Sequence, residues 1–211
     1  MLVAHAGAKP VGRKIGFTNR SIWPKYGVHQ PIWGTVYDSS LTLAPGGRAD
    51  IALKHMAHPR IEPEICFKLR AAPRDARPES LAAAIEWMAH SVEIVQAPRA
   101  DWKVTLEECN AHNALHAHLV VGAPAPFDAR IAEVEVVLLR NGVEVERGRG
   151  TNVLDSPLLA LGHLVSMVGE LKAGEIISTG TLTDAHPIAP GETWSTRLCG
   201  VTLKGLEIRL T

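Results

Sequence analysis

Glu133-Val134-Glu135-Val136-Val137-Leu138-Leu139-Arg140-Asn141-Gly142-Val143-Glu144-Val145-Glu146-Arg147 reads as two strands around a two-residue turn. Asn-Gly favours the left-handed backbone of a tight hairpin, and the flanking β-branched, alternating residues suit paired strands. The expected strands are 133–140 and 143–147. Outward from this hairpin, 14 Pro and 18 Gly cut the chain into short pieces that leave room for few helices. Strands are expected over 12–17, 60–69, 91–96, 118–122, 175–179, 194–199 and 206–210. Only two segments carry helical spacing. In 79–88, Leu81, Ala84, Ile85 and Met88 share a face. In 157–170, Ser156 is placed as N-cap, Pro157 opens the helix, and Leu158, Leu161, Leu164, Val165 and Val168 form the stripe. Strands and helices do not alternate regularly, which argues against a doubly wound parallel sheet, and a β-dominated α+β domain is expected.

The chain has 211 residues, a length suited to one core. Its 22 Lys and Arg balance 22 Asp and Glu, which argues against a nucleic-acid partner or a polybasic membrane surface. No apolar run reaches the roughly 18 residues of a membrane span, and residues 1–14 carry no signal-peptide core. Cys66, Cys109 and Cys199 are odd in number and form no Cys-X-X-Cys pair, so buried or partly buried thiols and a cytoplasmic location are expected.

The chemistry concentrates in Pro59-Arg60-Ile61-Glu62-Pro63-Glu64-Ile65-Cys66-Phe67. On a strand Glu62 and Glu64 point to one face while Ile61, Ile65 and Phe67 point to the other. Pro63 places this strand at an edge or a bulge. An isolated pair of this kind also serves as the wet face of a half-buried strand. Glu93 is different: it is the one acid in the apolar run His90-Ser91-Val92-Glu93-Ile94-Val95. Buried carboxylates are paired or bind metal. Three carboxylates on two strands make a hard oxygen site suited to Mg²⁺ or Mn²⁺.

Beyond these acids, Gly12-Arg13-Lys14-Ile15-Gly16-Phe17-Thr18, Gln30-Pro31-Ile32-Trp33-Gly34, Pro59–Phe67, Glu86-Trp87, Glu93-Ile94-Val95 and Asp101-Trp102 occur in that order. They are followed by 171–181 and by Ala189-Pro190-Gly191. This series resembles the hydratase/decarboxylase branch of the fumarylacetoacetate hydrolase superfamily, which includes 2-keto-4-pentenoate hydratases and 4-oxalocrotonate decarboxylases. The resemblance implies a mixed β-roll or sandwich with a few flanking helices. It also implies Mg²⁺ or Mn²⁺ on Glu62, Glu64 and Glu93, with Lys14 at the substrate as binding and catalytic group. A 2-oxo acid chelates such an ion through its carboxylate and keto oxygens. Lys14 would pair with the carboxylate or relay a proton, its pKa lowered by the metal charge. Gly180 and Thr181 match a turn close to substrate oxygens, with a simple β-turn as the other reading. The family's helical segment before the lysine strand has no counterpart in the short leader 1–11. No linker long enough to separate domains is read in the sequence, and a single catalytic domain over 1–211 is expected. A homo-oligomer is expected as well, because edge strands and apolar patches favour self-association.

Several positions depart from the family wording. Ile32 stands where hydratases carry Asp, and Leu115 stands in Ala111-His112-Asn113-Ala114-Leu115 where the family has Ser; both are expected to wall the pocket. The family arginine after the third acid is displaced to Arg99. His112 is a candidate replacement acid or base, since imidazole titrates near neutrality. A zinc site on His112, His116 and His118 fits less well, because the three spacings mix helix and strand periods. The expected activity is a divalent-metal lyase on small 2-oxo (2-hydroxydienoic) acids, of 2-keto-4-pentenoate hydratase type. A 4-oxalocrotonate-type decarboxylase is the alternative; acylpyruvate C–C hydrolysis and a non-catalytic binding relative are further ones. For the second carboxylate of a decarboxylase substrate, Lys14 is the near cation, with Arg99 and Lys103 as distant ones.

Overall fold

The computed structural model describes residues 7–211; the first six residues of the expected leader lie outside them. The chain runs β1 (Pro10–Gly16), α1 (Trp23–Tyr26), β2 (Ile32–Tyr37), β3 (Leu41–Leu43), β4 (Arg48–Ile51) and β5 (Arg60–Leu69). It continues through α2 (Pro78–Ala84), β6 (Ile85–Val95), α3 (Leu106–Ala111), β7 (His116–Val121), β8 (Glu135–Arg140) and β9 (Val143–Arg149). The last elements are α4 (Pro157–Val168), β10 (Ile176–Thr181), β11 (His186–Pro187), β12 (Thr193–Cys199) and β13 (Glu207–Leu210). The larger sheet has the order β2-β1-β10-β5-β6-β7-β3, with β11 on β5; the smaller has the order β4-β13-β12-β8-β9. Both sheets are mixed: β1–β10, β3–β7 and β4–β13 are parallel and the remaining pairs antiparallel.

Period-two alternation in β5 and β6 assigns a purpose to each face. Ile61, Val92 and Ile94 pack with Leu138, Trp194, Ile208 and Leu210 of the smaller sheet, forming the inter-sheet core. On the same large-sheet face, Ile65, Phe67 and Met88 join Leu161 and Leu164 of α4. The other face of the large sheet curls on itself, bringing β2 near β7. Val36, Cys66, Leu119 and Val121 cluster inside that curl. This is the face that carries Glu62, Glu64 and Glu93.

The helix expected over 79–88 needs correction: it stops at Ala84, and Ile85–Met88 begin the long strand β6. A register shift opposite Lys68 and Leu69 lets Ile85 and Met88 face one core as strand residues, so the spacing that suggested a helix is satisfied by a bulge. Of the two settings expected for Pro63, the bulge holds: the residue lies in a central strand between β6 and β10 and not at an edge. Its carbonyl accepts from Leu182 N at 2.8 Å, and β10 shifts register between Ser178 and Thr181. The missing N–H of Pro63 therefore faces a break in the ladder, where it costs no hydrogen bond. The expected bulge is present; the edge is not.

The Asn141-Gly142 turn has φ of 52° and 82°, as a tight hairpin requires. Ser156 caps α4 by accepting from Leu158 N. Cys66 and Cys109 are buried and Cys199 is exposed, a departure from the expectation of three sheltered thiols, and all three are free. Among the described residues no helix is long and apolar enough to cross a membrane.

Candidate metal centre

Glu62 and Glu93 are direct cross-strand partners, and Glu64 stands opposite Ser91, one pleat along. Like charges placed directly opposite one another repel. One carboxylate oxygen from each of Glu62, Glu64 and Glu93 lies within 4.8 Å of the other two. Two oxygens on a single octahedral ion stand roughly 3–4.2 Å apart, close to this spacing.

Each acid is held differently. Glu64 is wholly buried; its Oε2 accepts from Ser178 Oγ at 2.6 Å and from Gly180 N at 2.9 Å, while Oε1 has no partner. Glu93 is equally buried, and His116 Nδ1 donates to its Oε1 at 2.7 Å. Since an ionised carboxylate only accepts, His116 carries a proton on Nδ1 in this bond. On its other side Nε2 shares a 2.9 Å hydrogen bond with Ser40 Oγ, whose hydroxyl also donates to Tyr37 O. Glu93 Oε2 lies 3.1 Å from Lys14 Nζ as an ion pair but receives no well-aligned hydrogen bond. Glu62 is half-buried and opens onto a cavity of about 230 Å³.

Lys14 is buried, and its Nζ donates to Ala114 O at 3.0 Å. That carbonyl is presented by an unusual turn in which Asn113, Ala114 and Leu115 all have positive φ. Such backbone costs about 1 kcal/mol or more per residue and needs support. Asn113 supplies it, accepting from Thr35 N at 2.7 Å and donating to Thr35 O at 2.8 Å.

Burial pushes the Glu62 carboxyl up to about 7, Lys14 opposes the rise, and Glu93 adds to it. Burial, with Glu93 and Glu62 as neighbours, holds Glu64 well above the carboxylate range. Glu93 is buried too, yet Lys14 and His116 bring it below its ordinary value. Burial alone would lower Lys14, but the three carboxylates leave it raised. Three acids have one ammonium in ion-pair contact and Arg60 further off, and two buried carboxylate oxygens lack hydrogen bonds, so the site is short of positive charge. An all-oxygen donor set of this kind fits a hard divalent cation.

The remaining expected residues divide. Ile32, Leu115 and Thr181 line the cavity with Lys14 and Glu62. Gly180 does not line it: its N–H is spent on Glu64. Gly180 sits inside β10 with φ 107°, so a simple β-turn is also set aside. His112 is exposed at the C-terminal cap of α3, away from the cavity, because α3 turns that side chain to solvent. The histidine that reaches the acids is His116. The zinc grouping is absent among the described residues, since His116 serves Glu93 while His118 pairs with Thr42. Arg99 pairs with Asp101 and Glu108, and Lys103 is exposed. Sequence reading passed over Arg60, which lines the cavity. Its signal was parity, because Arg60 is two residues before Glu62 on the same face of β5.

Gly180→Ala is expected to be severe. A Cβ there would run into the Thr18 hydroxyl, and the positive φ disfavours any L side chain. A loss of about 2–4 kcal/mol in denaturant unfolding is expected, with weakened positioning of Glu64. Unchanged stability would contradict this reading of the bulge.

Comparison with known proteins agrees with this geometry. The family described as fumarylacetoacetate (FAA) hydrolase C-terminal matches residues 27–205. The chain is 36% identical over 199 residues to a 4-oxalocrotonate decarboxylase of Pseudomonas sp., covering 90% of this chain and 77% of the relative. It is 30% identical over 203 residues to a 2-keto-4-pentenoate hydratase of Paraburkholderia xenovorans, covering 92% and 74%. Among solved structures, 4-oxalocrotonate decarboxylase from Pseudomonas putida G7, complexed with magnesium and adipate, superposes with a TM-score of 0.88. That match has 28% identity and covers 98% of this chain and 80% of the other.

Proposed function

Since the chain belongs to the fumarylacetoacetate hydrolase family, we propose that it is a divalent-metal-dependent lyase acting on small 2-oxo or 2-hydroxydienoic acids. The observation that carries this reading is the cluster of Glu62, Glu64 and Glu93 beside Lys14, with Glu62 and Lys14 lining one cavity. In this reading the three glutamates hold Mg²⁺ or Mn²⁺, the former being the ion named with the decarboxylase structure. When bound, such an ion supplies Lewis-acid stabilisation of negative charge on a 2-oxo oxygen.

The chain's own residues would do the rest. Lys14, tethered by Ala114 O and Glu93, faces the cavity with its ammonium fixed in place. It is suited to neutralising a substrate carboxylate and to giving or taking a proton at Nζ. In the metal-free protein the carboxylates raise Lys14; a dication among them would cancel that support and bring its pKa down. Phe17, Ile32, Val95 and Leu115 make an apolar wall that suits a carbon chain and excludes water. His116, bonded to Glu93 and Ser40, fixes the direction of one carboxylate without touching the cavity.

Hydration of a 2-hydroxydienoate and decarboxylation of a vinylogous 2-oxo diacid share the first part of this chemistry. The hydratase relative supports the first. The decarboxylase relative supports the second, as do the apolar Ile32 and Leu115, which cannot place an attacking water. Acylpyruvate hydrolysis would want a water-activating group, and His112 is not placed to be one. We further propose a single catalytic domain working in the cytoplasm as a homo-oligomer, a reading supported by the free thiols and by the exposed Leu43 and Val143.

The experiment is an assay with Mg²⁺ or Mn²⁺ on 2-hydroxypenta-2,4-dienoate, 4-oxalocrotonate and an acylpyruvate side by side. Turnover of either of the first two, lost on chelation, is the expected result. Pyruvate release from the acylpyruvate alone would place the protein among C–C hydrolases. Absence of all turnover in metal-loaded protein would leave a binding relative and overturn the lyase reading.

A further inference from the structure

We propose that Arg60 anchors a second carboxylate, so that the cavity selects 2-oxo diacids over 2-oxo monoacids of the same length. This inference rests on the reading of Glu62, Glu64, Glu93 and Lys14 as the end that takes the 2-oxo acid group.

Arg60 opens β5, and its side chain shares the face of Glu62 two residues on. The strand repeat puts their Cα atoms about 6–7 Å apart. The apolar Phe17, Val95 and Leu115 line the same cavity. The cavity thus combines two cations, Lys14 and Arg60, with Glu62 and an apolar lining. A short carbon chain with a carboxylate at each terminus suits that combination.

The state of the guanidinium points the same way. Its Cζ lies over the Trp102 ring, 4.2 Å from the ring centre, a cation–π contact that holds the guanidinium in place. Its Nη1 reaches only Ala185 O, at a long 3.5 Å. Its Nε is buried and has no hydrogen-bond partner. Among the described residues no carboxylate forms an ion pair with Arg60, although Asp184 also lines the cavity. A buried donor left unpaired carries a desolvation cost that a ligand can relieve. A planar fork held by an aromatic ring is suited to bidentate carboxylate binding, which a flexible ammonium cannot reproduce. The other candidate cations are committed elsewhere: Arg99 pairs with Asp101 and Glu108, and Lys14 with Glu93. Of the two lyase reactions, decarboxylation is the one whose substrate carries the extra carboxylate.

The test uses Mn²⁺-loaded full-length protein and two saturated probes, 2-oxoadipate and 2-oxohexanoate. They share a 2-oxo acid end and differ in bearing a terminal carboxylate or a methyl group. Calorimetry on the wild type should show 2-oxoadipate bound about 10- to 100-fold more tightly, the range a charge-assisted contact supplies. In Arg60→Gln that ratio should fall to near one, and Arg60→Lys should keep part of it. A wild type with equal affinity for both probes overturns the proposal, as does a preference that survives in Arg60→Gln. If 2-oxohexanoate itself fails to bind the wild type, the fault lies at the glutamate end, and the inference falls with the reading beneath it.

Discussion

Glu64→Gln is expected to lower Mn²⁺ affinity by at least about 100-fold and to abolish metal-dependent turnover while the protein stays folded. One of three anionic ligands is lost, and a neutral amide is a poor donor to a hard dication. Glutamine is the informative substitution because its carbonyl keeps the acceptor that Ser178 and Gly180 require; alanine would orphan both. The fold should tolerate the change, since burial and the neighbouring Glu93 already hold Glu64 toward its neutral form in the metal-free protein. Glu93→Gln is the harsher change, as it leaves the Lys14 ammonium without its counter-charge.

A pH signature accompanies this result. The folded-state pKa of Glu62, about 7, lies above that of an exposed glutamate, so the metal-free folded state binds more protons than the unfolded chain. Stability is therefore lost as pH rises through 7. His90 and His118, each lowered to about 4 chiefly by burial, give the opposite slope. Their contribution is complete only about one pH unit above 6.5, where an unfolded histidine has also lost its proton. Between pH 7 and 8, then, the melting temperature of metal-free wild type should fall, with Glu64, also held well above the carboxylate range, adding to the loss, and saturating Mn²⁺ should abolish the fall. A metal-free melting temperature that is flat or rising across that window would contradict the packing of three acids without a counter-ion. Retained Mn²⁺ affinity in Glu64→Gln would contradict the ligand set.

Lys14→Met should separate binding of the ion from chemistry. The ammonium lies 3.1 Å from Glu93 and competes with a cation for the same negative potential. Its removal should leave Mn²⁺ affinity unchanged or raised. Turnover should drop by at least about 10³-fold, the scale expected when a positioned acid–base and charge-stabilising group is deleted. Methionine fills most of the space, so the bond to Ala114 O is the main structural loss. Metal affinity falling in parallel with turnover would mean that Lys14 organises the glutamates instead of meeting substrate.

How much of this is legible from residue order depends on the range of the interaction. Strand β5 and the Asn141-Gly142 hairpin follow from local alternation and turn chemistry, and so does the shared face of Glu62 and Glu64. Period two also places Arg60 on that face, although attention to the acids alone passes it by. Strand β2 is obscured by Gly34, which resembles a turn residue but is required because a Cβ would meet the Asn113 carbonyl. That approach involves residues 79 positions apart. Helix α3 carries a capping box at Thr105 and Glu108 that is visible in the sequence, yet it spans only Leu106–Ala111, too short for a periodic stripe. The choice between His112 and His116 cannot be made locally. It follows from the pairing of β6 with β7, which carries His116 beneath Glu93, and from the three left-handed residues that end the turn before it. Ion-pair partners such as Lys14 and Glu93 belong to non-adjacent strands and become neighbours only when the large sheet curls.

The claim on which the rest depends is that Glu62, Glu64 and Glu93 bind one divalent ion. Diffraction from Mn²⁺-soaked crystals at the manganese edge tests it directly. The account requires a single anomalous peak within about 2.5 Å of a carboxylate oxygen from each of the three glutamates, lost in Glu64→Gln. A peak elsewhere, or none at millimolar Mn²⁺ with the carboxylates still clustered, would contradict it.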